Sequence, residues 1–340
     1  MRRAHRRGSA LWLSAAFLAA SLSLAGCQGG DSEKDGLTPV TLSEVAHSIF
    51  YAPQYAAIEL GYFEEEGIEL TLVNAGGADK VMTAMISGDA DIGFMGSEAS
   101  IYTYAEGAED YAVNFAQLTQ RAGNFLVARE PQENFAWDDL RGKKVLGGRA
   151  GGMPQMVFEY ILKKNGIDPK TDLTIDQSID FGLTAAAFTS NDADYTVEFE
   201  PFATSLEKNG DGYVVASLGV DSGYVPYTAY SVKKSYLAEN PEIVQSFTNA
   251  IQKGLDYVNS HNSQKIAETI SPQFKETDVA DIATIIERYK AQDTWKGDTV
   301  FEEKSFDLLQ NILEEAGELE TRVPYSDLVI TEYAERAKGN

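Results

Sequence analysis

The 340-residue chain has one cysteine, Cys27, and three histidines, His5, His47 and His261. A single thiol rules out an internal disulfide, paired-cysteine redox chemistry and cysteine-rich metal sites. Isolated histidines far apart in the chain suggest neither a transition-metal cluster nor a Ser-His-Asp triad, and no Gly-x-Ser-x-Gly elbow occurs. No metal or other cofactor is therefore expected. Basic residues are scarce as well: 28 Lys and Arg stand against 52 Asp and Glu, a formal net charge of −24. So acidic a chain argues against a nucleic-acid partner, because basic patches supply that affinity. It also disfavours adsorption to anionic lipid headgroups. Acidity on this scale also fits a salt-tolerant host, and composition does not choose between the readings. Only one long apolar run exists, and it lies near the start.

Arg2, Arg3, Arg6 and Arg7 precede that run, which is almost uncharged from Ala10 to Leu24 and ends Leu24-Ala25-Gly26-Cys27. A basic start, an apolar middle of about 7–15 residues and small residues before a cut define a secretory signal. The stretch is too short for a spanning helix, which needs about 20 apolar residues. Its small-small-Cys ending resembles the lipobox of bacterial lipoproteins, which implies that residues 1–26 are removed and that Cys27 is acylated. Export and lipid anchoring to the bacterial cell membrane are the expectation. Residues 27–37 are polar and glycine-bearing, with almost nothing to bury, and read as a flexible tether.

From Pro39 onward the pattern is α/β. Val40–Val45 and Ile68–Val73 alternate as strands do, Tyr55–Glu66 reads as an amphipathic helix, and Asp79 is a plausible cap for a helix through Ile86. Asp91–Met95 is a short buried strand. The grammar restarts after Trp137 with a strand to Leu146, a Gly147–Gly152 loop, a helix from Met156 to Asn165 and a strand near Tyr195–Val197. From Asn240 the chain reads as mostly helical.

Tyr55-x-Ala57-x-x-x-Gly61-Tyr62-Phe63-x-x-x-Gly67-Ile68, then Gly76-Gly77, then Ile86-x-Gly88-x-Ala90-Asp91-Ile92-Gly93 resemble one class of ABC-importer substrate-binding proteins. That class takes thiamine-pyrimidine precursors, alkanesulfonates, taurine and nitrate. Asp139–Val145 with its glycine-rich turn is similar to the start of the family's second domain, and Pro241-Glu242-Ile243-Val244 to a late helix. The resemblance covers roughly residues 39–262. It implies a two-lobed periplasmic-binding-protein fold, each lobe a mainly parallel sheet flanked by helices. Lobe one is expected at residues 38–128 plus 228–340 and lobe two at 129–227, with crossings near 128–130 and 224–227. A monomer is expected, with a small solute and a cognate permease and ATPase as partners.

Two α/β lobes place a ligand beyond the C-terminal ends of their strands. Those ends supply His47 and Tyr51, Gly76 and Gly77, Ser97 and Glu98, Arg149 and Gly151, and Glu198, Phe199 and Glu200 as candidate ligand contacts. Each has a plainer alternative: His47 bonded to a local backbone group, Tyr51 in the core, Glu98 capping its own helix, the 147–152 loop a tight turn. Tyr55 reads as core, and Tyr224 and Tyr227 as hinge or pocket rim. Sulfonate and nitrate need donors and positive potential, whereas three acids fall near the expected cleft. A carboxylate beside rings suits an amino-substituted heterocycle, whose ring nitrogen and amino group bond its oxygens. A thiamine-pyrimidine-like solute is the first expectation, with a sulfonate, taurine or nitrate anion as the alternative. A ligand-sensing lipoprotein is the alternative of another class. One branch of the family makes the thiamine pyrimidine with a cysteine-rich iron segment; with Cys27 acylated this chain has no cysteine left for it, so an enzyme is not expected.

Overall fold

The computed structural model describes residues 36–179 and 182–339. Cys27, the signal and most of the tether lie outside the described residues. The first five-stranded sheet has the order β2-β1-β3-β10-β4, formed by β1 (Thr38–Glu44), β2 (Ile68–Asn74), β3 (Ile92–Met95), β4 (Ala112–Thr119) and β10 (Thr228–Lys233). The second is β7-β6-β8-β5-β9, formed by β5 (Phe125–Ala128), β6 (Lys144–Leu146), β7 (Thr174–Asp176), β8 (Tyr195–Glu198) and β9 (Tyr213–Ser217). The two sheets share one plan. Three parallel strands with the earliest of the trio at the centre lie beside an antiparallel pair.

Both sheets are thus mixed rather than mainly parallel. The strand that runs backward beside each trio is the one laid down as the chain arrives from the other sheet: β5 in the second, β10 in the first. Phe125–Ala128, expected on the first-lobe side of the boundary, pairs with both Tyr195–Glu198 and Tyr213–Ser217. The chain therefore leaves the first sheet within residues 120–124 and returns within 218–227.

Local chemistry explains the other departures. The helix expected over 55–66 is split: a turn at Ile49–Tyr51 leads into Ala52–Glu59, and Gly61, at φ +74°, breaks it before the short helix Tyr62–Glu65. Pro53 sits in the first turn, where its missing N–H costs nothing. All eight residues of β4 are buried although it is an edge strand, because Asn114 bridges Val329 and Thr119 bridges Trp295 along its open side. The long helix Pro241–Ser260 buries Val244, Phe247, Ile251, Leu255 and Val258. It crosses the helix Ala52–Glu59 closely at Gly254, where a Cβ would lie 2.2 Å from the Pro53 carbonyl oxygen. Of the later helices, Glu303–Ala316 packs on Met153–Lys164 of the second sheet, and Val279–Ala291 carries Arg288 and Tyr289 toward it.

Candidate functional site

A cavity of about 450 Å³ opens where the C-terminal ends of the parallel strands converge. Val45 follows β1, Gly76 and Gly77 follow β2, and Gly96 and Glu98 follow β3; Gly148 and Arg149 follow β6, Ile179 follows β7, and Phe199 follows β8. Three strand ends from each sheet therefore supply the wall. This is where an α/β sheet leaves room for a ligand, beyond strands whose side chains are fully committed to packing.

The floor is aromatic. Phe50, fully buried, touches Tyr51 at 5.2 Å, Tyr227 at 5.7 Å, edge-on, and Phe199 at 5.8 Å between ring centroids. One ring thereby ties two walls of the first-sheet side to one of the second. Met153, Pro154, Leu183 and Phe202 extend the apolar lining.

Two buried carboxyls face this lining. Glu98 opens the helix Glu98–Ala105 and is 3 % exposed; burial pushes its pKa up to about 7, against the pull of its own amide, the Met153 amide and the Arg149 charge. Met153 begins the helix Met153–Lys164, so Glu98 lies between two helix N-termini whose dipoles favour an acid. The approach needs Gly96: a Cβ there would lie 2.1 Å from Glu98 Oε2. Glu198 ends β8, accepts from Thr196 Oγ1 at 2.6 Å and Thr184 Oγ1 at 3.0 Å, and is also raised by burial to about 7. Asn124, in the first crossing segment, completes the polar set; its Oδ1 accepts from the Tyr227 hydroxyl at 2.6 Å. At the rim, Arg149 pairs with Asp79 across the opening at 3.3 Å, both largely exposed.

Of the candidates read from sequence, Tyr51, Gly76, Gly77, Glu98, Arg149, Glu198 and Phe199 line this cavity. His47, Ser97, Gly151 and Glu200 are not among its lining residues. His47 donates to Glu44 Oε1 at 2.8 Å and bonds the Gln273 carbonyl at 2.9 Å through its other nitrogen; the Glu44 bond raises its pKa. Ser97 Oγ donates to the Pro226 carbonyl at 2.9 Å, pinning the helix start to the second crossing. The Gly151 carbonyl accepts from the Tyr102 hydroxyl at 3.4 Å. Glu200 is held by Arg288 and by the Thr204 amide. Tyr55 is core, as expected, and bonds Glu44. Tyr224 is exposed on Asp293, whereas Tyr227 is buried in the wall.

Asn124 and Thr184 escaped the sequence reading. Asn124 had one available signal, its place after Gly123 just ahead of a strand; Thr184 had none. Among the described residues no group of His, Cys, Asp and Glu could hold a metal ion, and no helix is long and apolar enough to cross a membrane. The arrangement offers a largely apolar, ring-lined chamber with two buried carboxyls in its wall and one mixed ion pair at the entrance, room for a small ligand.

The family described as NMT1/THI5 like matches residues 49–264. A Bacillus subtilis (strain 168) relative named "Putative binding protein YtlA" is 47% identical over 314 residues, covering 92% of this chain and 93% of its own. The 4-amino-5-hydroxymethyl-2-methylpyrimidine phosphate synthase of Aspergillus parasiticus is 24% identical over 221 residues, 62% of this chain and 63% of that one. Among solved structures, the alkanesulfonate-binding protein SsuA of Xanthomonas axonopodis pv. citri, bound to MOPS, superimposes with a TM-score of 0.70 at 15% identity. The match covers 86% of this chain and 98% of that one. At that identity it bears on fold alone, which is that of the periplasmic binding proteins.

Proposed function

The chain belongs to the NMT1/THI5-like family, and from that premise we propose that it is the extracytoplasmic solute-binding protein of an ABC importer. In this reading two lobes, built on the two sheets, close on a small amino-substituted aromatic heterocycle of the thiamine-pyrimidine type. Acylated Cys27 anchors the monomer to the cell membrane, and the loaded protein delivers its solute to a permease and its ATPase. It binds the solute and does not transform it.

One observation carries the choice of ligand: two carboxyls, Glu98 and Glu198, lie inside a ring-lined chamber. Once these carboxyls are ionised, bringing a sulfonate or nitrate between them sets like charges together in a largely apolar space, whereas an amino group donates a hydrogen bond to a carboxylate oxygen. The rim pair Arg149–Asp79 adds no net charge. The relative that makes an aminopyrimidine phosphate supports the same ligand chemistry.

A thermal-shift screen of the chain from Ser32 onward tests this. A ligand at a hundred times its Kd stabilises the folded state by about 2.7 kcal/mol. For roughly 300 ordered residues that is a rise of about 4 °C. We expect it with 4-amino-5-hydroxymethyl-2-methylpyrimidine and not with taurine, an alkanesulfonate or nitrate; a rise with the anions alone refutes the ligand assignment.

A further inference from the structure

The polar groups of the cleft differ in what they still have to give. Glu198 already accepts a hydroxyl on each oxygen. Glu98 Oε2 and Asn124 Nδ2 are buried, belong to residues that line the cavity, and have no hydrogen-bond partner among the described residues. Native proteins leave few such atoms, because water has been given up and nothing has replaced it. Asn124 is also held in orientation: the Tyr227 hydroxyl donates to its Oδ1, which leaves both hydrogens of Nδ2 for another acceptor. Both residues line the cavity together with Tyr227. Gly96 leaves the space in which the Glu98 carboxyl lies, since a Cβ there would be 2.1 Å from Oε2.

Resting on the solute-binding reading above, we propose that Glu98 and Asn124 form the recognition pair of the cleft. Asn124 Nδ2 donates to a ring acceptor, and Glu98 Oε2 accepts from a neighbouring donor. An amidine-type edge, a ring nitrogen beside an amino group, serves both. Once Glu98 is ionised, an anion offering only acceptors serves Asn124 and leaves Glu98 unpaired, so the pair selects for amino-substituted rings. Glu198 then acts as a wall group whose own bonds fix it in place.

Titration calorimetry with three ligands separates these roles: the aminopyrimidine, its analogue with methyl in place of the amino group, and its analogue with C–H in place of the ring nitrogen. Asn124→Asp keeps an acceptor for Tyr227 and deletes the donor. Glu98→Gln keeps an oxygen toward the Met153 amide and deletes the charge. Asn124→Asp should weaken the aminopyrimidine at least tenfold while changing the C–H analogue no more than about threefold. Glu98→Gln should weaken the aminopyrimidine at least tenfold and spare the methyl analogue in the same way. Wild-type binding that neither variant reduces, or losses equal across all three ligands, overturns the pair and leaves the solute-binding reading intact. Failure of the wild type to bind any of the rings overturns that reading instead. The ligand-free protein then judges the pair: Glu98→Gln should melt a few degrees higher at pH 8, whereas a lower melting point makes Glu98 a structural group and refutes its role.

Discussion

Substitution of Glu198 by glutamine should make the protein more stable at alkaline pH, an unusual outcome for a buried side chain at a strand end. Burial carries this carboxyl from its ordinary 4.5 to about 7. A group whose folded pKa lies above its unfolded one keeps its proton in the folded state while the unfolded chain has released it. Stability is then unaffected below pH 4.5, falls as pH rises through the interval from 4.5 to 7, and levels off above it. At about 1.4 kcal/mol per pH unit, the full penalty is about 3 kcal/mol. Glutamine has no proton to lose and still bonds the two threonine hydroxyls, so at pH 8 the variant should gain about 3 kcal/mol, or about 5 °C in Tm for roughly 300 ordered residues. At pH 4.5 the two proteins should melt together. The raised Glu98, Glu200 and His47 slope in the same direction, which leaves the wild-type curve falling even after Glu198 is removed. Urea titrations followed by tryptophan fluorescence at pH 4.5, 6, 7 and 8 measure the difference. A variant that is less stable at pH 8, or a gap that does not change with pH, refutes the reasoning.

The remaining expectations contrast the chamber with its supports. Gly96→Ala should displace the Glu98 carboxyl, the movable end of a side chain, and weaken solute binding tenfold or more by calorimetry while circular dichroism shows a folded protein. Tyr51→Ala should weaken binding by removing a ring of the floor, with the far-ultraviolet spectrum retained. Arg288→Ala should cost about 3 kcal/mol in urea unfolding, because it strands the buried Glu200 carboxylate, yet leave solute Kd within about threefold. Arg149→Ala should change unfolding free energy by less than about 1 kcal/mol, the worth of an exposed pair, at any salt concentration.

The parallel trios were legible because their strands alternate or form short apolar runs between glycines, as in Ile68–Asn74 and Ile92–Met95. The antiparallel strands were not. Ala112–Thr119 is buried on both faces and carries Asn114 and Gln117 inside, so it shows neither alternation nor an unbroken apolar run. For the cavity, position after a strand end picked out Tyr51, Glu98, Glu198 and Phe199 among its lining residues. The same rule cannot say which way a side chain turns. Glu198 and Glu200 both follow from one strand, yet the first faces the cavity and the second is drawn to Arg288, a residue 88 positions away whose approach no local pattern encodes. His47 shows the same limit: its ring is turned to Glu44 and to the carbonyl of Gln273, in a helical turn late in the chain. Asn124 depends on Tyr227, brought beside it only by the second crossing.

The most direct test of the account is a crystal structure of the soluble chain grown with 4-amino-5-hydroxymethyl-2-methylpyrimidine. The ring should lie between Tyr51, Phe199 and Tyr227, with its nitrogens at hydrogen-bond distance, about 2.7–3.2 Å, from Glu98 and Asn124. A ligand bound only at the Arg149 loop, or an empty chamber at saturating concentration, would contradict it.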